Sequence, residues 1–335
     1  MKQLLKLSAA SLLVVGALSV QASTLGDVQA KGYVSCGVSK GLAGFSSADS
    51  SGTWTGVDVD VCRAVAAATL GDAQKVKFVP LTAKERFTAL QSGEIDMLSR
   101  NTTWTITRDA SLGLNFAGVN YYDGQGFMVK SSLGVSSAME LSGAAVCIQA
   151  GTTTELNLAD WGKANGIEYN SVVSDTNAQT LTNYDAGRCD VLTTDASGLY
   201  SMRAAASDPS EHVVLPEIIS KEPLGPVVRQ GDDQWFNIVR WSLNAMITAE
   251  ELGVTSATVD EVTNNPERER LMGRSGSTHE YVGLTPDWTY QIVKQVGNYS
   301  ESFERNIGIN TPIGIARGVN ALWTDGGILY SPPFR

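Results

Sequence analysis

The stretch Leu90-Gln91-Ser92-Gly93-Glu94-Ile95-Asp96-Met97-Leu98 decides the fold, because the chain uses its pattern twice. The second copy is Tyr184-Asp185-Ala186-Gly187-Arg188-Cys189-Asp190-Val191-Leu192, and both contain Gly-x-x-Asp-x-Leu. In each, a helix stops at the glycine, a short apolar strand follows, and the strand runs into a polar loop.

Working outward from the first copy, Tyr33–Val38 is a β-rich run, and Gly56–Val61 leads into an Ala-rich helix that reaches Leu70 and ends at Gly71. Asp58 and Asp60 place negative charge at the start of that helix, where it is favoured. Val76–Pro80 is the next strand, and Thr82 to Glu85 has the capping-box spacing that opens a helix through Phe87 and Leu90. Around the second copy come strand Ala144–Ile148, a helix from Thr153 to Asn165, strand Tyr169–Val173, a helix near Gln179–Ala186, strand Cys189–Thr193 and a helix to about Ala206. Strands alternating with helices of about 10–15 residues predict parallel sheets. The fold class is therefore α/β, with two similar lobes. After Asp232, Trp235, Ile238, Val239, Leu243 and Ile247 form one apolar stripe of a core-facing helix. A helix over Asp287–Asn298 and a Gly-rich tail are read as cover for the first lobe.

The first 22 residues stand apart. Lys2 and Lys6 make a cationic start, Leu7 to Val20 is apolar, and Val20-Gln21-Ala22 offers small residues at the spacing of a cleavage site. The apolar run is short of the ~20 residues that a membrane span needs. Residues 1–22 are thus expected to be a signal peptide cut after Ala22, leaving an exported chain. Without Lys2 and Lys6 that chain has 23 basic residues against 35 acidic, a charge of about −12. Such a surface excludes nucleic acid as a partner, although a locally cationic site remains compatible with it.

An exported chain permits disulfides. Proximity along the chain favours Cys36 with Cys62 and Cys147 with Cys189; four free buried thiols are the alternative. No Cys-x-x-Cys occurs, and His212 and His279 are far apart, so neither a metal nor a cofactor is expected.

Ligands of parallel α/β sheets sit beyond the carboxyl ends of the strands. The first copy ends there in Ser99-Arg100-Asn101-Thr102-Thr103-Trp104-Thr105-Ile106-Thr107-Arg108-Asp109, which combines four threonines with a guanidinium fork suited to two carboxylate oxygens. A Thr-rich loop with Arg108 in a surface ion pair is the plain alternative. The second lobe offers Gln149-Ala150-Gly151-Thr152-Thr153-Thr154-Glu155 at a helix start, where free N–H groups can hold an anion. Thr152 and Glu155 also have capping-box spacing. Asp195, after Thr193 and Thr194, supplies a carboxylate for an ammonium, or else caps the next helix. Together these residues match a zwitterion held between two lobes.

At this point the chain resembles the polar amino-acid-binding proteins of ABC importers, the bilobed type II periplasmic class. The residues that carry the resemblance are Gly56-Val57-Asp58-Val59-Asp60, Gly93 with Asp96, Thr103-Trp104-Thr105-Ile106-Thr107, Tyr121-Tyr122, Ala150-Gly151-Thr152-Thr153, and Gly187 with Asp190 ahead of Asp195. The run Asn101–Asp109 and the long C-terminal part are closer to the general L-amino-acid branch. The resemblance implies that Arg108 clamps the ligand carboxylate, with Arg100 as the alternative because Arg108 comes two residues earlier than in most relatives. It also implies Thr103, Thr105, Thr152 and Thr153 as donors, Asp195 with the Thr102 carbonyl for the ammonium, and a side-chain pocket near Leu42, Phe45, Ala83 and Trp104. The lobes expected from it are 23–128 plus 225–335 and 129–224, closing about crossing strands near Gly126–Lys130 and Leu224–Val228. The implied protein is a periplasmic monomer that passes an L-amino acid to a membrane permease. An enzyme on the same fold, of small-acid dehydratase or deaminase type, is the competing reading; it finds no nucleophile–base pair, and only Asp195 and Glu155 as acid or base. A receptor's ligand-binding domain is the third.

Overall fold

The computed structural model describes residues 23–335, and the expected signal peptide lies outside them. In chain order the elements are α1 (Thr24–Lys31), β1 (Val34–Ser39), a hairpin of β2 (Ser47–Ala48) and β3 (Trp54–Thr55), α2 (Val57–Leu70), β4 (Val76–Leu81), α3 (Arg86–Ser92), β5 (Met97–Leu98), β6 (Leu114–Phe116), β7 (Tyr121–Asp123) and β8 (Gln125–Lys130). There follow β9 (Ala145–Gln149), α4 (Thr153–Asn165), β10 (Asn170–Ser174), α5 (Asn177–Asp185), β11 (Val191–Asp195), α6 (Ala196–Ala205), β12 (His212–Val214), β13 (Glu222–Leu224), β14 (Val227–Arg229) and α7 (Asp233–Glu251). Four α-helices follow, α8 (Pro266–Leu271), α9 (Thr278–Val282), α10 (Trp288–Val296) and α11 (Tyr299–Asn306), and then two 3-10 turns at Gly318–Asn320 and Trp323–Asp325.

Two five-stranded sheets result, and they share one layout. The first runs β4-β1-β5-β14-β6, the second β10-β9-β11-β8-β12. In each, three parallel strands are followed by one antiparallel strand. That antiparallel strand is the one on which the chain arrives from the other lobe. Between the sheets, β7 and β13 pair antiparallel with Asp123 opposite Glu222. This crossing pair lies a few residues ahead of the expected segments 126–130 and 224–228. Apart from Leu224, which belongs to β13, and the half-buried Lys130, those segments are buried and run into the sheets as β8 and β14.

Both disulfides form as proximity suggests. Cys36–Cys62 ties β1 to α2, and Cys147–Cys189 ties β9 to the turn before β11. The C-terminal helices cover α2, as expected of the tail, and Asp60 fastens them. Its Oδ2 accepts from Ser302 Oγ (2.7 Å), Arg305 Nη2 (2.5 Å) and Asn306 Nδ2 (2.8 Å). Asp58 likewise does more than charge a helix end. Buried, it accepts from the Asn101 N–H (2.7 Å) and Asn120 Nδ2 (3.0 Å), which pins the loop after β5. No described helix is long and apolar enough to cross a membrane.

Candidate functional site

Strands β5 and β11, one from each copy of the repeated pattern, end at one small cavity between the lobes. The first lobe lines it with Arg86, Arg100, Asn101 and Thr103, and the second with Gln149, Thr152, Thr153, Thr154, Thr194 and Asp195. Every one of these side chains is polar.

On the first-lobe side, Thr82 and Glu85 exchange the expected capping-box hydrogen bonds, at 2.9 and 3.2 Å, just before α3. Arg86 then opens the helix and is buried. Its Nη1 lies 3.4 Å from Thr102 Oγ1, and its Nε has no hydrogen-bond partner among the described residues. Burial, with Arg108 and Arg100 nearby, lowers its pKa well below the ordinary value against the pull of Asp195 and Glu222. This guanidinium is short of an anion. Arg100 is also buried and donates Nε–H to the Leu81 carbonyl at 3.0 Å. Burial lowers its pKa to about 10, while Asp58 opposes the shift. Between Arg100 and the threonines, Asn101 has φ +28°, the one non-glycine residue with positive φ among those described. Such local strain is frequent at ligand sites.

On the second-lobe side, the capping box expected of Thr152 and Glu155 does not form. Thr152 Oγ1 donates to the Gln149 carbonyl (2.7 Å), and Glu155 accepts from the Gly151 N–H (2.7 Å). The start of α4 therefore receives no side-chain cap, so its first N–H groups stay available to an anion. Asp195 stands at the N-cap of α6 without capping it. Burial first, then Asp123 and Glu222, raise its pKa well above the carboxylate norm, with Asn101 and Arg86 opposing. A cation placed against it would offset that penalty.

Other expected site residues stand away from the cavity wall. Arg108 is buried, but its Nη1 donates to the Thr103 carbonyl (2.9 Å), so it braces the loop from behind. Burial lowers its pKa, and Glu222 and Asp195 pull the other way. Thr105 accepts from the Arg108 N–H (3.3 Å), and the Thr102 carbonyl accepts from the Gly225 N–H (3.0 Å). None of Leu42, Phe45, Ala83 and Trp104 lines the cavity. The Phe45 ring packs edge-on against Tyr121, and Trp104 lies flat on Phe116 with its indole N–H toward Asp109. Of the lining groups, only Arg86 falls outside the stretches that sequence reasoning singled out; Asn101, Gln149, Thr154 and Thr194 stand within them but were given no role. For Arg86 there was a signal: a cation in a first helical turn opposes the helix dipole and so calls for a reason.

The lobes also meet at Lys84. Lys84 Nζ lies 2.8 Å from Asp175 Oδ1 across the cleft. Gly151, at φ +75°, passes so near Lys84 that a Cβ there would lie 2.9 Å from its Cγ and 3.3 Å from its backbone N.

The family model for bacterial extracellular solute-binding proteins, family 3, matches residues 34–258. The chain is 61% identical over 330 residues, 97% of each chain, to the general L-amino acid-binding periplasmic protein AapJ of Rhizobium johnstonii. It is 56% identical over 326 residues, 96% of each chain, to the glutamate/glutamine/aspartate/asparagine-binding protein BztA of Rhodobacter capsulatus. Among solved structures it resembles an ABC transporter periplasmic binding protein from Brucella ovis with glutathione bound. That match has 57% identity and a TM-score of 0.92, covering 94% of this chain and 100% of the other.

Proposed function

The chain belongs to the bacterial extracellular solute-binding proteins, family 3, and from that premise we propose that it captures L-amino acids between its lobes and delivers them to the permease of an ABC importer. One observation carries the assignment of the site. A buried guanidinium lacking an anion, Arg86, and a buried carboxylate lacking a cation, Asp195, face one polar cavity. A zwitterion satisfies both. In this reading Arg86 and Arg100, with the first N–H groups of α4, hold carboxylate oxygens, and Asp195 holds the ammonium. Arg108, Thr105 and the Thr102 carbonyl support the loop that presents Thr103. The walls favour a polar ligand side chain, because every side chain that lines the cavity is polar.

The lobes in this reading are 23–128 with 225–335, and 129–224. The protein acts as a monomer in the periplasm after loss of residues 1–22. Its relatives at 56–61% identity are amino-acid-binding proteins, which favours capture over the dehydratase or deaminase reading. The Brucella relative gives one further ligand a place in the test, since glutathione carries an amino-acid zwitterion at its glutamyl end.

Calorimetry on ligand-stripped protein, with glutamate, glutamine, aspartate, asparagine, leucine and glutathione, tests the assignment. One-to-one binding of the polar amino acids, each recovered intact by mass spectrometry, is the expected result. Turnover, or binding of none of them, rejects it.

A further inference from the structure

Glu222 stands outside the cavity wall yet gathers side chains from both sides of it. Its Oε2 accepts from Thr103 Oγ1 at 2.5 Å and Thr153 Oγ1 at 2.9 Å. Its Oε1 accepts from Asn157 Nδ2 at 2.6 Å and Ser220 Oγ at 2.7 Å. Thr103 belongs to the first-lobe loop after β5. Thr153 and Asn157 lie one turn apart on the same face of α4, in the second lobe. Glu222 itself lies on the crossing strand β13 and is buried. We infer that Glu222 is the latch of closure, a positioning residue that draws donors from both lobes onto the joint between them.

The inference rests on reading this cleft as the amino-acid site. If the lobes part, α4 moves away from the loop after β5, and one carboxylate can no longer hold both sets of donors. Hydrogen bonds to a charged acceptor are the strong kind, and burial strengthens them. They favour the closed form by an amount that owes nothing to the ligand's side chain, because Glu222 is not among the residues that line the cavity. Apparent affinity follows the closed population, so every ligand gains by the same factor. A second consequence concerns polarity. Thr103 and Thr153 spend their hydroxyl protons on Glu222, so toward the cavity they present lone pairs.

The test is Glu222→Gln in the full mature protein, read in two ways. Titration with glutamate, glutamine and asparagine is expected to show a common loss of roughly tenfold. Small-angle X-ray scattering is expected to show the ligand-free variant more extended than the ligand-free wild type, with the two coinciding at saturation. If Glu222→Gln fails to fold, Asn157→Ala removes one α4 donor and is expected to give a smaller common loss, about threefold. Unchanged affinity, a loss confined to one side-chain class, or identical ligand-free scattering overturns the latch. A wild type that binds no amino acid rejects the function instead, and the ligand-free scattering still decides the latch.

Discussion

Asp195 is expected to hold its proton differently with and without a ligand ammonium beside it. Burial and two neighbouring acids favour its neutral form when the cleft is empty, whereas a ligand ammonium favours the ionised form. Binding therefore expels a proton wherever the empty cleft retains one, and affinity falls as pH falls through that range. Calorimetry in buffers of different ionisation enthalpy reads the expelled proton directly. Asp195→Ala and Arg86→Ala are each expected to cost roughly 10–150-fold in affinity, the range for charged hydrogen bonds, with the thermal midpoint kept. Asp123 makes a different prediction. Burial raises its pKa to about 6, so its ionised form is disfavoured in the folded state. Its contribution to stability is full below the unfolded pKa of 3.8 and is lost as pH rises through 6. Asp123→Asn should flatten that decline between pH 4 and 7 by on the order of 1–3 kcal/mol, measured as urea midpoints. The place of Asp195, Thr152 and Thr153 on the cavity wall was legible in the sequence because they stand at or just after the carboxyl ends of parallel strands. Glu222 was not, because its partners Thr103, Thr153 and Asn157 come from distant parts of the chain.

At the scale of the element, the α4 start depends on Gly151. A methyl there would press on Lys84 of the other lobe and would sit on a backbone that favours glycine. Gly151→Ala is expected to fold and to keep its ligand preferences. Its apparent affinity should drop several-fold, about fivefold for a closure penalty of roughly 1 kcal/mol, as read by titration. Helices such as α2 and α4 were readable because apolar residues and stop glycines mark them locally. The absence of a cap at Thr152 was not, since spacing alone cannot tell which acceptor a hydroxyl finds. The same limit applies to the side-chain pocket assigned to Phe45 and Trp104. Aromatic rings in a loop are as well satisfied by Tyr121 and Phe116 as by a ligand.

For the whole molecule, the Gly-x-x-Asp-x-Leu repeat foretold two sheets of one layout, because each copy marks the third parallel strand of its sheet. Each sheet also keeps its own disulfide, and neither crosses the cleft. Reducing both should lower the thermal midpoint, each bridge contributing roughly 3–4 kcal/mol through the loops of 26 and 42 residues that they close. Ligand affinity measured well below that midpoint should hardly change. The C-terminal helices were the least legible part, since their task is to partner a residue some 240 positions earlier. That debt has a temporal side. The second sheet has all its strands once the chain has reached Val214, whereas Asp60 waits for Ser302, Arg305 and Asn306. A chain broken off before α11 lacks Ser302, Arg305 and Asn306 together with the cover they bring to α2, so Asp60 and the neighbouring face of that helix meet water. Incomplete copies thus carry their own mark for proteolysis.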